Sequence, residues 1–378
     1  MEILYQSLLL ITWKQVLMLI IGGILIWLAI KKEMEPALLL PMGFGAILVN
    51  LPLSGAITQI YGGTAEIGII DVLFNSTIAN ELLPLLLFIG IGAMIDFGPL
   101  LSNPKMLLFG AAAQFGIFMT LSLASLFPQW FTLQDAAAIG IIGAADGPTS
   151  IFVANYFGTR YAGAIYVAAY SYMALVPIIQ PPVIRAITTR KERLIRMEYV
   201  SGSVSKTAKI LFPIIITVIA GLAAPRSVSL VGFLMFGNLI RECGVLSRLS
   251  ETAQNSFANI VTLLLGITIS TKMQAEMFIS FSTILIMCLG LFAFIFDTVG
   301  GVLFAKLINL FLPEGKKINP MVGACGISAF PMSARVVHKM GLKEDPHNFL
   351  LMHAVGANVS GQIASVIAGG LIIALVAR

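Results

Sequence analysis

The chain has 378 residues, 58% of them apolar and 11% charged, with a net charge of +5. A soluble domain carries about 25% charged residues, so no soluble core accommodates this apolar share. The positive balance does not point to nucleic acid, because the basic residues cluster in a few loops, as membrane topology requires.

Apolar stretches of about 20 residues recur from end to end, the pattern of a multi-pass membrane protein. The first apolar run, 16–30, ends in Lys31 and Lys32. A cleaved signal would carry its charge before the run and small residues after it, so this segment is expected to remain as a span. In chain order the apolar segments are 13–30, 36–53, 81–97, 104–127, 134–157, 161–182, 207–223, 227–241, 255–271, 276–311, 318–340 and 347–376. Segments 134–157 and 318–340 are rich in glycine and proline and carry polar motifs. Such backbone cannot face lipid, so both are expected to be broken or re-entrant. The other ten are expected to be full spans of an all-α polytopic membrane protein. Cys243, Cys288 and Cys325 form no CxxC pair and are expected to be small buried apolar residues.

The positive-inside rule tests this layout. With Lys31 and Lys32 inside, 54–80 falls outside and contains no Lys or Arg. The most basic loop carries Arg185, Arg190, Lys191, Arg193, Arg196, Lys206 and Lys209, and it lies inside only if 134–157 enters and leaves by the outer face. Treating 318–340 likewise from the inner face leaves only Lys14, Arg160, Arg226, Lys272 and Arg378 outside, of 23 basic residues. The halves also echo one another: PMGFGAILVN (41–50) with LMFGNLIREC (234–243), LLLFIGIGAMI (85–95) with VTLLLGITIST (261–271), IIGAADG with MVGACGI. The expected organisation is a first repeat at 1–182, a basic cytoplasmic loop at 183–209 and a second, inverted repeat at 210–378. Interrupted segments meeting near the midplane of inverted repeats are the layout of secondary transporters.

Asp146, in IIGAADGPTSIF, has no Lys or Arg within ten positions on either side. An intramembrane carboxylate costs about 3 kcal/mol on insertion scales and so implies function by default. Gly147 and Pro148 free backbone carbonyls, and Thr149 and Ser150 add hydroxyls, a hard-oxygen set suited to Na⁺ or a proton. The alternative is a helix cap serving the amides of Thr149 or Ser150. In INPMVGACGISAFPMSARVV (318–337), Asn319-Pro320 and Gly323 open the segment and Pro331 breaks it. Ser328 offers a hydroxyl before the break, and Arg335 could hold an anionic substrate on the cytoplasmic side. The alternative for Arg335 is an arginine snorkelling to the interface. Tyr170, Ser171 and Tyr172 lie in 161–182, and His353, Asn358 and Ser360 in the last span. Isolated Tyr and Ser are commonly helix–helix hydrogen bonders, whereas Asn358 offers a carbonyl ligand beside small residues. Asp96 is expected to be a cap or salt-bridge residue; Asp297 is open between ion path and structural pair. No P-loop, no His/Cys cluster and no GxSxG elbow is present, which excludes nucleotide hydrolysis by this chain and leaves an ion or a delivered substrate as the energy source.

GAADGPTSIF, NPMVGACGISAFPMSARVV and HAVGANVSG, in this order, resemble the β subunit of sodium-pumping, biotin-dependent decarboxylases. MEPALLLPMGFGAILVNLP, DFGPLLSNPK and FDTVGGVLFAKLIN fit the same family, so the resemblance covers about residues 33–376. Members act on oxaloacetate, methylmalonyl-CoA, glutaconyl-CoA or malonate, and their β subunits are too alike to select among these. The resemblance implies a carboxyltransferase subunit, a biotin-carrier protein or domain, a small single-span membrane subunit and a homo-oligomer in a bacterial inner membrane. It implies decarboxylation of carboxybiotin coupled to outward Na⁺ transport, with a proton consumed from outside. Carried over by motif, the functional aspartate falls on Asp146 and the tyrosine on Tyr172. The asparagine–glycine–serine–arginine series falls on Asn319, Gly323, Ser328 and Arg335, and a last asparagine on Asn358. Asp146, Tyr172 and Arg335 are then catalytic, Arg335 and Tyr172 meet carboxybiotin, and Asp146, Asn319, Gly323, Ser328 and Asn358 hold Na⁺. The competing classes are a plain secondary carrier, such as a Na⁺/H⁺ antiporter or a Na⁺-coupled organic-anion carrier, and a structural membrane subunit.

Overall fold

The computed structural model describes residues 9–61, 64–198 and 204–377; Arg378 and positions 199–203 of the basic loop lie outside the described residues. Helix punctuation by proline, glycine and caps sets the elements. The first half contains α1 (Trp13–Lys31), α2 (Pro36–Asn50), α3 (Ile69–Thr77), α4 (Leu82–Met94), α5 (Leu107–Ala113), α6 (Phe115–Ala124), α7 (Leu133–Gly140), α8 (Gly147–Phe157) and α9 (Ala162–Ile187). The second contains α10 (Lys206–Ala223), α11 (Val228–Glu242), α12 (Ala258–Ile269), α13 (Phe281–Asn309), α14 (Pro320–Gly323), α15 (Met332–Glu344) and α16 (Leu351–Val376). A short antiparallel hairpin, Gln59–Tyr61 with Thr64–Glu66, precedes α3.

Among the described residues seven helices are long and apolar enough to cross a membrane, and a pair bent by 62°, Ile69–Ile78 with Leu82–Met94, makes an eighth candidate. The ten expected spans are reached only by adding α2 and α11, of 15 residues each. At 1.5 Å per residue each would reach about 22 Å, against a hydrocarbon core of about 30 Å. Both are stopped by their sequence, α2 by Pro52 and α11 by Gly244, which takes a positive φ of 75°. The two Gly/Pro-rich segments are both interrupted, at Ala145–Asp146 and at 327–331. Of the cysteines only Cys325 is buried, while Cys288 is exposed on α13 and Cys243 is intermediate. The expectation of three buried thiols fails because α13 turns the Cys288 face outward.

Packing between the halves is reciprocal: α2 lies on α12 and α4 on α11, while α1 covers α2 and α10 covers α11. A Cβ at Gly92 would come 1.9 Å from the carbonyl oxygen of Leu234, and one at Gly237 2.1 Å from that of Ile89. Each of α4 and α11 therefore supplies the glycine that admits the other's backbone. Long-range ion pairs join residues that the charge tally puts on one side. Lys14 meets Glu276 at 2.7 Å outside; Arg193–Glu344 at 2.8 Å, Arg196–Asp345 at 2.6 Å and Lys306–Glu192 at 3.0 Å lie inside.

Candidate functional site

The first break is built by local sequence. Thr132 and Asp135 form a capping box that starts α7, the chain tightens into a 3₁₀ turn at Ile141–Ala144, and Ala145 turns left-handed at φ 52°. Asp146 is then extended and Gly147-Pro148 opens α8, the first turn being the place where proline costs no hydrogen bond. The carboxylate caps α8, accepting from the Thr149 amide at 3.3 Å and from Thr149 Oγ1 at 2.8 Å. The cap reading of Asp146 holds, and the cap leaves Oδ2 with two further partners from elsewhere. Ser328 Oγ donates to it at 3.2 Å and Ser365 Oγ at 3.0 Å.

The second break lies directly against the first: the Ser328 amide donates to the Ala144 carbonyl at 3.0 Å. α16 fastens it from behind, with Asn358 Nδ2 donating to the Ile327 carbonyl at 2.7 Å and Gln362 Nε2 donating to the Ser328 carbonyl. Asn358, Gln362 and Ser365 stand at i, i+4 and i+7, one face of a helix. That stripe was a legible signal, yet sequence reasoning took only Asn358 from it and missed Gln362 and Ser365.

Other expected site residues land elsewhere. Asn319 is fully buried, but its side chain caps α14 through the Met321 amide and donates to the carbonyls of Arg193 and Ile195. It ties the second segment to the basic loop and makes no hydrogen bond with Asp146, unlike Ser328. Gly323 serves a backbone crossing: a Cβ there would lie 2.1 Å from the Gly301 carbonyl oxygen of α13. Tyr172 donates to the Met287 carbonyl on α13, so it joins two helices and does not line the Asp146 cavity. Tyr170, on the opposite face of α9, does line it. Asp297 is fully buried and accepts from the amides of Gly116 and Ile117, capping α6 across helices. Asp96 caps the Gly98 amide at 2.8 Å and meets Lys209 at 3.2 Å, the cap and salt bridge expected.

A cavity of about 240 Å³ opens beside Asp146, lined also by Ser328, Tyr170, Gln362, Pro331 and Glu35. The hydroxyl of Tyr170 and the carbonyl oxygen of Gln362 are buried without a hydrogen-bond partner among the described residues, as is that of Asn358 one turn before Gln362. A buried carboxylate without an opposite charge costs several kcal/mol, and hydroxyl donors offset only part of that. Carboxylate, hydroxyl and amide oxygens together form the donor set of a small hard cation. A larger cavity of about 770 Å³ lies among the basic loops around Lys191, Lys306 and Lys317, away from this chemistry.

Residues 14–376 match the family described as Na⁺-transporting oxaloacetate decarboxylase beta subunit. The chain belongs to that family. It is 49% identical over 362 residues to the methylmalonyl-CoA decarboxylase subunit beta of Veillonella parvula, covering 96% of this chain and 93% of the relative. It is 48% identical over 365 residues to the glutaconyl-CoA decarboxylase subunit beta of Acidaminococcus fermentans, covering 97% and 94%. Against the oxaloacetate decarboxylase beta chain of Klebsiella pneumoniae it is 44% identical over 412 residues, covering 95% and 94%. This β subunit is therefore the membrane subunit of a multi-subunit decarboxylase that couples decarboxylation to Na⁺ transport. The plain-carrier and purely structural readings are set aside.

Proposed function

We propose that this β subunit decarboxylates carboxybiotin brought by a partner's biotin-carrier domain and drives Na⁺ outward, with a proton taken up from the outer side. The observation that carries this is the convergence of three hydroxyls, from Thr149, Ser328 and Ser365, on one buried carboxylate oxygen at a cavity wall. Hydroxyls can donate to a bare carboxylate or turn their lone pairs to a cation, so the same cage serves Asp146 with Na⁺ or with a proton. Asn358 and Gln362 lend oxygen beside it. Asn319 and Gly323 belong to the frame that positions Ser328.

Arg335 receives the carboxybiotin anion. It is exposed on the first turns of α15, just beyond Pro331 at the cavity lining, and its side chain makes no hydrogen bond or ion pair with a described residue. Loss of CO₂ breaks the N–C bond and leaves its electron pair on the ureido nitrogen, which takes up the proton. The apolar cavity wall of Leu38, Leu87, Ile91 and Met173 favours this step by removing water from the carboxylate. Tyr170 is the cavity hydroxyl placed to relay that proton, and Tyr172 holds α9 against α13 beside it. The reciprocal packing of α2, α4, α11 and α12 supports two inverted repeats, 1–182 and 210–378, joined by the cytoplasmic loop 183–209. A carboxyltransferase subunit, the biotin carrier, a small membrane subunit and further copies of this chain complete the assembly in the bacterial cytoplasmic membrane.

The test uses membranes containing this chain and added carboxybiotin, with CO₂ release measured against Na⁺. Asp146→Asn should abolish Na⁺-dependent release while the protein remains inserted. Near-normal release at ordinary Na⁺ would remove Asp146 from the ion path.

A further inference from the structure

Glu35 lies in the turn between α1 and α2, where Glu33 and Glu35 both take positive φ, 52° and 38°. Non-glycine residues hold that conformation only where the surroundings impose it, and such positions cluster at functional sites. Glu35 precedes α2, yet its side chain makes no capping bond. Instead it lines the same cavity as Asp146, and Asn259 and Thr262 of the α12 span supply further polar groups on that wall. Apart from Asp146, it is the acidic residue of that lining. Pro331 and Met332, where α15 begins, line the cavity too, and the charge of Arg335 one turn later reaches the Glu35 carboxylate without forming an ion pair. Burial pushes the Glu35 carboxyl up and Arg335 opposes it, so the carboxylate is short of positive charge.

We propose that Glu35 is the cytoplasmic capture site for Na⁺ on its way to Asp146, and that Arg335 governs its availability. Na⁺ and Arg335 compete for Glu35, while carboxybiotin and Glu35 compete for Arg335. An anion on Arg335 withdraws that cation from Glu35 and strengthens its hold on Na⁺. Linkage makes the effect mutual: Na⁺ on Glu35 leaves Arg335 free for the anion. The cavity mouth thereby admits the ion when its fuel is present. The proposal rests on Asp146 as the Na⁺ ligand and Arg335 as the carboxybiotin residue.

The experiment titrates Na⁺ at low and at high added carboxybiotin, in membranes containing the full chain. In the unmodified chain the Na⁺ concentration for half-maximal turnover should fall as carboxybiotin rises. In Glu35→Gln it should rise by about tenfold at high carboxybiotin, within the usual range for coupled sites, and lose its dependence on carboxybiotin. Maximal turnover at saturating Na⁺ should fall by less than about threefold, since a capture site lowers the Na⁺ requirement and leaves the chemical step alone. Glu35→Asp should restore part of the coupling. An unchanged Na⁺ dependence in Glu35→Gln, or a loss of turnover that saturating Na⁺ does not recover, overturns the proposal. Asp146→Asn in the same membranes separates the two levels: Na⁺-dependent turnover surviving there overturns the assignment of Asp146 itself.

Discussion

Ser365 donates its hydroxyl to Oδ2 of Asp146 at 3.0 Å although 219 positions separate the two residues. Asp146 carries its own helix cap, and Ser365 belongs to the last helix, so this bond is a tertiary event. It marks where the two halves of the chain must agree to within a fraction of an ångström.

Ser365→Ala should raise the Na⁺ concentration for half-maximal turnover by about tenfold, the equivalent of about 1.4 kcal/mol. Ser365→Thr, which keeps the hydroxyl, should recover most of it. Turnover of added carboxybiotin at graded Na⁺ is the measurement. Equal Na⁺ dependence in Ser365→Ala and the unmodified chain would take Ser365 out of the ion shell.

Tyr170 and Tyr172 separate by their partners. Tyr170→Phe removes a hydroxyl from the cavity and should slow carboxybiotin turnover at saturating Na⁺ by at least about a hundredfold, the lower end of the range for a positioned proton donor. Tyr172→Phe removes the bond to the Met287 carbonyl and should cost about 1 kcal/mol of thermal stability. Slower turnover in Tyr172→Phe with unchanged unfolding temperature, beside a normal Tyr170→Phe, would reverse the roles.

Arg335→Lys should weaken carboxybiotin use by about tenfold, because lysine lacks the planar fork that grips a carboxylate. Arg335→Ala should weaken it further. In both, turnover should approach normal values at high carboxybiotin, and Na⁺ protection against thermal unfolding should persist. Loss of that protection with normal carboxybiotin turnover would move Arg335 to the ion site.

Asp297→Ala should lower thermal stability by about 0.5–2 kcal/mol, the usual worth of a helix cap. Asp297→Asn keeps an acceptor for the amides of Gly116 and Ile117 and should lie close to the unmodified chain. Neither should shift the Na⁺ half-saturation. A tenfold shift in both would place Asp297 on the ion path.

The two breaks were readable from the sequence because Gly147-Pro148 and Pro331 leave helix no local alternative. The pairing of Asp146 with Ser328 followed from the inverted echo between the two segments. The hydrogen bonds of Asn319 were not readable, because its partners, the carbonyls of Arg193 and Ile195, sit in a loop that composition cannot locate. Tyr170 and Tyr172 differ by two positions, about 200° around a helix, and only packing decides which face turns to the cavity. The end of α2 escaped hydropathy for a related reason: apolar residues run on to Leu53, and Pro52 ends the helix inside the apolar window.

The bond between Ser365 and Asp146 also has a consequence for how the protein is made. A chain emerging from the ribosome inserts Asp146 long before residue 365 exists, and Ser328 follows late as well. During that interval only Thr149 can attend the carboxylate, and an acid with so few partners enters a bilayer most cheaply with its proton on. Completion of the last helix supplies the remaining donors. The hydroxyl cage around Asp146 is therefore a product of finished synthesis: a chain cut short before α16 retains the acid and lacks the Ser365 donor.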